Sequence, residues 1–255
     1  MTKPVLVLAM PKVGNTTVIE ALRQAGIEVH RAHFLSDRSF WQALARIELS
    51  GDEHRVQEFL DWNERLRKLA VRRFDGRGCR VITLVRDPVA RNVSWLFESS
   101  SMKDPDFVHR FHDDPDGMDA LKKRFLEDQD HDHPLRWFDY EIRDVFGIDV
   151  FAKPFPRDAG YATYSRDEVD LLLLRLEDVS RSGPAALGAF LELDDIDLAS
   201  RNVRGETPVG RLYERFSDWL TLPDEYLDRV YTSRLVRHFY SREEIDAFRR
   251  RWSTA

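Results

Sequence analysis

The sequence predicts an α/β fold with a central, mainly parallel sheet, and three observations carry that prediction. Continuous apolar runs of strand length stand at Val5-Leu6-Val7-Leu8-Ala9-Met10, within Arg80–Val85 and within Val169–Arg175. Runs of this kind form strands buried on both faces, as parallel strands are. The first two runs each end in a turn and pass into helical periodicity, with Ile19, Leu22 and Ala25 after the first and Val93, Leu96 and Phe97 after the second. Finally, 255 residues, 42% of them hydrophobic, suffice for one substantial core, and no internal repeat or low-complexity tract interrupts the chain.

Composition excludes several kinds of function. A net charge of −6 argues against a general nucleic-acid or membrane-surface binder, because affinity for a phosphate backbone needs an excess of Lys and Arg. Any anion site must therefore be local. The single cysteine, Cys79, excludes an internal disulfide framework and fits a reducing compartment. With a first strand near residue 5 and no apolar run approaching the ~20 residues of a membrane span, a soluble, cytoplasmic protein is expected.

The first strand-to-helix junction is the most informative stretch. Pro11 and Gly14 break the strand, Asn15 or Thr16 can cap the helix, and Gly26 stops it. A strand, a phosphate-sized loop and a helix N-terminus offer backbone N–H groups and the positive end of the helix dipole to an anion, and Lys12 adds a full charge. The lysine precedes the glycine here, whereas in a Walker A loop it follows the last glycine.

A shorter second strand is predicted within residues 26–35, with Ile27, Val29, Arg31 and His33 on one face, His30 on the other, and His33 at the C-terminal end. Ser36 and Asp37 open a helix to about Leu49, with Phe40, Trp41, Leu44 and Ile47 as its buried stripe. A longer helix over about 52–74 follows and ends at Gly76 and Gly78. After the third strand, Asp87 as N-cap and Pro88 at the first helical position start a helix through about Glu98. Arg86 lies just before that helix and Ser94 about two turns inside it.

Residues 102–146 read as a predominantly helical insertion. Its His109, His112, His131 and His133 have no neighbouring Cys, no H-E-x-x-H pair and no closed four-ligand spacing, so no metal site is expected. Short strands are predicted at Ile148–Phe151 and Tyr161–Tyr164, and a buried strand at Val169–Arg175 leads into Leu176-Glu177-Asp178. Helices are predicted over about 184–193, 212–220, 224–231 and 243–252, with a polar loop, Asn202–Thr207, between the first two.

Pro11-Lys12-Val13-Gly14-Asn15-Thr16-Thr17 resembles the 5′-phosphosulfate loop of sulfotransferases that use 3′-phosphoadenosine 5′-phosphosulfate (PAPS). Arg86-Asp87-Pro88-Val89-Ala90-Arg91-Asn92-Val93-Ser94 is similar to the Arg-x7-Ser segment with which the same enzymes bind the 3′-phosphate. The order of the two motifs, the His33-Phe34-Leu35-Ser36 stretch and Trp137-Phe138-Asp139-Tyr140-Glu141-Ile142 resemble, within that superfamily, the bacterial group named putative capsular polysaccharide synthesis proteins. The likeness covers about residues 5–100 and 169–206. Val13 and Asn15 depart from the small or hydroxyl residues usual at those loop positions, although neither removes a backbone donor.

The resemblance implies a single sulfotransferase-like domain over residues 1–255: a P-loop-type three-layer fold with helices on both faces of the sheet and an insertion at about 102–146. It implies transfer of a sulfuryl group from PAPS to a hydroxyl of a small-molecule or carbohydrate acceptor, such as a capsular polysaccharide, leaving 3′-phosphoadenosine 5′-phosphate (PAP) and requiring no metal. In that reading Lys12, Val13, Gly14, Asn15, Thr16 and Thr17 hold the 5′-phosphate, Arg86 and Ser94 the 3′-phosphate, and Arg204-Gly205 a closing loop. Lys12 stabilises the leaving group and His33 is the base, with Glu98 and Glu141 as substitutes. In an open parallel sheet ligands bind beyond the carboxyl ends of the strands, where Lys12, His33, Arg86 and Glu177 all fall. Two alternatives stand beside this: a P-loop nucleotide kinase-like enzyme, which needs magnesium and a lysine beyond the last loop glycine, and a PAP-binding protein without catalysis.

Overall fold

The computed structural model describes residues 3–48, 54, 56–58, 60–61, 78–103, 106–112, 116–194, 196–198 and 207–253. The chain divides into two compact units, one of residues 1–85 and 136–199 and one of residues 86–135 and 200–255. The stretch read from the sequence as one insertion is shared between them.

The first unit holds a five-stranded sheet: β1 (Val5–Leu8), β2 (Val29–Ala32), β3 (Cys79–Val85), β4 (Tyr161–Arg166) and β5 (Val169–Arg175), in the order β2-β1-β3-β5-β4. All neighbours are parallel except β4 and β5, which form a hairpin pairing Tyr161 with Leu174 and Arg166 with Val169. The mainly parallel α/β sheet expected from the apolar runs is therefore present. Val7, Leu8, Ile82, Leu84 and Leu171 to Leu174 are fully buried; at about 1.5–3 kcal/mol per buried aliphatic side chain, these three strands hold the unit together. Gly78 enters β3 with φ 68°, and a Cβ there would lie 1.9 Å from the Glu168 carbonyl oxygen, so only glycine fits beside the β4–β5 turn.

Helices α1 (Asn15–Gln24) and α2 (Asp37–Glu48) follow β1 and β2. Phe40 and Leu44 form the buried stripe of α2 as predicted, but Trp41 is 62% exposed. It lies one residue off the i, i+4 row, with its ring edge against Phe40 at 5.0 Å between centroids. Most of the helix expected over 52–74 lies outside the described residues. Ile148–Phe151 is not a strand: the Asp149 carboxylate accepts from the Phe151 N–H at 2.9 Å and its carbonyl from the Ala152 N–H, which curls the segment into a turn.

The described residues of the second unit are helical: α3 (Pro88–Lys103), α4 (Phe107–His112), α5 (Gly117–Asp128), the start of α6 (His133–Phe138), and, beyond residue 200, α9 (Pro208–Trp219), α10 (Asp224–Tyr231), α11 (Arg234–Phe239) and α12 (Arg242–Trp252). Its core is aromatic: the Phe97 ring meets Phe107, Tyr213 and Phe216 at centroid separations of 5.7, 5.5 and 5.6 Å. Helix α9 begins four residues before its predicted start, where Thr207 accepts from the Gly210 N–H and Pro208 occupies the first turn. Ser241 and Glu244 close a reciprocal capping box on α12.

Between α6 and β4 the first unit carries a π-helical segment, Asp139–Arg143, and a short helix α7 (Asp144–Phe146). After β5, a 3-10 turn at Leu176–Asp178 leads into α8 (Val179–Leu191), which begins five residues before its predicted start and contains Pro184.

Candidate functional site

The strand order β2-β1-β3 reverses at β1, which makes the carboxyl ends of β1 and β3 the topological switch point of the sheet. The chain leaves β1 there through Ala9–Gly14. Lys12 (φ 72°) and Gly14 (φ 86°) both take left-handed backbone around the fully buried Val13. A left-handed lysine is uncommon, and alternation about such residues turns successive N–H groups toward one concavity. A Cβ on Gly14 would lie 2.3 Å from Leu176 Cδ1, so the loop is also pressed against the end of β5.

Gly14, not Asn15 or Thr16, is the N-cap of α1, and no side chain caps that helix start. The first-turn N–H groups therefore have no side-chain acceptor at the cap, and the helix dipole adds positive potential there. Asn15 is the first helical residue. It is 4% exposed, and its Nδ2 is buried without a hydrogen-bond partner. A buried unpaired amide costs free energy in the protein by itself, and an oxygen-rich ligand would satisfy it. Thr16 is exposed and Thr17 half-buried.

His33 lies just beyond β2. Its Nδ1 is 2.8 Å from the Ala9 carbonyl oxygen and its Nε2 is 2.9 Å from Arg31 Nη2. A carbonyl only accepts, so the ring proton sits on Nδ1, and Nε2 accepts from the guanidinium. The His33 carbonyl accepts from Trp137 Nε1 at 3.0 Å. One helical turn along, in the π-helical segment, the fully buried Glu141 accepts from the N–H groups of Leu35 and Ser36 and, at 2.6 Å, from the Ser36 hydroxyl. Ser36 Oγ accepts in turn from the Ser39 N–H, capping α2. Trp137 and Glu141 thus hold the β2–α2 junction that presents His33. Glu141, offered from the sequence as a substitute base, has its carboxylate committed to that junction.

At the end of β5, Arg175 is buried and pairs with Asp178, which also takes Arg181 at 2.7 Å. Asp178 is thereby a structural acid beyond the carboxyl end of β5, while Glu177 is exposed.

In the second unit, Arg86 is half-buried and Asp87 only 3% exposed. The Asp87 carboxylate accepts from the Val89 N–H (3.1 Å), the Ala90 N–H (3.3 Å), the Tyr231 hydroxyl (3.0 Å) and Trp252 Nε1 (3.3 Å). It is the N-cap read from the sequence. Burial pushes its carboxyl above the ordinary range against these four donors, and burial likewise raises the Tyr231 hydroxyl. Ser94, 1% exposed, is buried in α3, and Glu98 lies half-buried a turn further on. Arg91 Nη1 donates to Asn92 Oδ1 at 3.0 Å; the Tyr226 hydroxyl donates to His131 Nδ1 at 2.9 Å, with Asn92 Nδ2 3.1 Å from the same nitrogen, and His131 Nε2 donates to the Phe125 carbonyl at 2.7 Å. His131 is thus a satisfied core histidine whose pKa burial lowers. Cys79, also buried, has its thiol pushed up to about 12 and is inert at neutral pH.

Among the described residues no group of three or more His, Cys, Asp or Glu is placed to hold a metal ion. No helix there is long and apolar enough to cross a membrane. Arg204 and Gly205 lie outside the described residues. Sequence reasoning placed Arg31 on the His33 face but missed its bond to the ring, although i, i+2 spacing on a strand was the signal for it.

The family described as "Putative capsular polysaccharide synthesis protein" matches residues 118–241, just under half of the chain. The matched stretch includes Trp137 and Glu141 and excludes the β1–α1 loop and Arg86. No curated protein and no solved structure matches the chain.

Proposed function

We propose that this chain is a sulfotransferase that moves a sulfuryl group from PAPS to a hydroxyl of a carbohydrate acceptor. One observation carries the donor half of the reading. The β1–α1 loop combines left-handed backbone at Lys12 and Gly14, an N-cap without a side chain and the unpartnered buried Nδ2 of Asn15. These donors suit a phosphate, and the oxygens of a doubly charged 5′-phosphosulfate would be acceptors for the Asn15 amide and the first-turn N–H groups of the helix. The carbohydrate half rests on the family description over residues 118–241.

The backbone N–H groups of residues 13–17, with Asn15 and the hydroxyls of Thr16 and Thr17, would hold the 5′-phosphate. Arg86 and Ser94 would hold the 3′-phosphate, the guanidinium as a forked, permanently charged donor and the hydroxyl as a second one. PAPS, when bound, supplies the sulfuryl group: the acceptor oxygen–sulfur bond forms as the bridging sulfur–oxygen bond breaks, and its electron pair leaves with PAP. Lys12 neutralises charge on the departing phosphate, and the work of the protein is placement and charge stabilisation. His33 receives the acceptor proton at Nε2, its Nδ1–H held on Ala9, and returns it to water. Trp137 and Glu141 position His33 without touching a reacting atom.

Calorimetric titration with PAP, and separately with ATP and magnesium, tests the donor assignment. PAP binding independent of magnesium, weakened by about 1.5–3 kcal/mol in each of Lys12→Ala and Arg86→Ala, is expected. Binding of ATP with magnesium and indifference to the 3′-phosphate would overturn it in favour of a kinase-like enzyme. Normal PAP binding with no turnover of any acceptor would reduce the chain to a PAP-binding protein.

A further inference from the structure

We infer that the acceptor is anionic, carrying a carboxylate next to the reacting hydroxyl, and that Arg31 recognises that carboxylate and in doing so releases His33. The inference rests on the reading of His33 as the base. With Nδ1–H fixed on the Ala9 carbonyl, the imidazole has one in-plane lone pair left, on Nε2. Arg31 Nη2 donates into it at 2.9 Å. An acceptor hydroxyl can give its proton to Nε2 only by donating along the same direction, so the two donors compete for one site. A neutral hydroxyl is the weaker competitor, since the bond it replaces comes from a full cation.

Arg31 itself supplies the way out. It is exposed, two residues before His33 and in contact with its ring, and its guanidinium is a planar fork that matches a carboxylate with two parallel bonds. A carboxylate offered beside the hydroxyl gives the guanidinium a stronger partner than the imidazole and neutralises the positive charge next to the base. Binding of the correct acceptor and freeing of the Nε2 lone pair become one event. A uronic acid residue, with its carboxylate on the same ring as its hydroxyls, has this chemistry; a neutral hexose lacks it.

The test uses the full chain labelled with nitrogen-15, following the His33 ring nitrogens and the Arg31 side-chain nitrogens by magnetic resonance during titration with methyl glucuronide or methyl glucoside. The expected result is that the glucuronide shifts both His33 Nε2 and Arg31 while the glucoside shifts neither. Arg31→Gln should weaken the response about tenfold or more, and Arg31→Lys, which keeps the charge and loses the fork, should retain part of it. Equal responses to the two sugars, or no response to the glucuronide up to high millimolar concentration, overturns the inference. The PAP titration reports on Lys12 and Arg86 instead. Loss of PAP binding with the carboxylate response intact removes the donor assignment alone, and the reverse pattern removes the acceptor assignment alone.

Discussion

Two strand-to-helix junctions follow neighbouring parallel strands and treat their helix starts in opposite ways. After β3, the N-terminus of α3 is filled from within: the Asp87 carboxylate takes two first-turn N–H groups, and Tyr231 and Trp252 close over its remaining lone pairs. After β1, the N-terminus of α1 has a glycine cap, two left-handed residues and a buried amide with no partner. The first junction is built to be stable. The second withholds that satisfaction, which is the expected form of a site whose acceptor arrives from solution. An anion cannot use the α3 dipole, because a carboxylate already occupies it; any anion contact from that junction has to come from a side chain, and Arg86 is the one immediately before it.

Opening the closed junction gives the largest effect. Asp87→Ala removes two cap bonds and leaves the Tyr231 hydroxyl and the Trp252 indole buried without acceptors, so it should cost about 3–5 kcal/mol in urea unfolding. Tyr231→Phe, which deletes one donor and leaves the cap, should cost about 1 kcal/mol. Equal losses in the two variants would mean that the Tyr231 bond, not the cap, carries the contribution of Asp87.

The closed junction also extends along α3 through Asn92 to His131, and that part is sensitive to pH. Burial lowers the His131 pKa in the folded state, so between that value and the ordinary ~6.5 the unfolded chain binds more protons than the native one. Stability contributed by neutral His131 is therefore full above about pH 6.5 and falls as the pH drops through the window below it, with a slope of no more than about 1.4 kcal/mol per pH unit. Unfolding midpoints of wild type and His131→Gln measured from pH 7.5 to about 5 should show that slope only in the wild type. A parallel decline in both would place the acid sensitivity elsewhere.

The same contrast marks what could be read in advance. The closed junction was legible because its chemistry is local: Asp-Pro is a cap followed by a first-turn proline, and β3 and β5 announced themselves as apolar runs. The loop with Lys12 and Gly14 was legible as a tight strand-to-helix turn, but its cap was misplaced onto Asn15 or Thr16, since residue type does not show that a lysine will take left-handed backbone to make glycine the cap. What stayed hidden was long-range. Glu141 reaches Ser36 across 105 residues, and its π-helical segment leaves no periodic trace. Trp41 read as core because hydrophobicity was counted without its angle on the helix. Helix α11, with Ser233 as its cap, was missed because six residues are too few to show a period.

Asn15 allows the open junction to be tested with the smallest change in stability. Its Nδ2 is buried and unpaired, so Asn15→Ala removes an unsatisfied group rather than a bond. The transfer of the β-carbon is kept, the amide desolvation cost disappears, and alanine has a higher helix propensity than asparagine. The variant without ligand should therefore be as stable as the wild type or up to about 1 kcal/mol more stable. If the amide is there for a phosphate oxygen, the same variant should bind PAP about fivefold or more weakly, as expected for loss of one hydrogen bond to a charged group. Stability and affinity then move in opposite directions at one residue, which a purely structural asparagine would not do: a loss of stability with unchanged PAP affinity would turn the open junction into a second, merely less tidy, closed one.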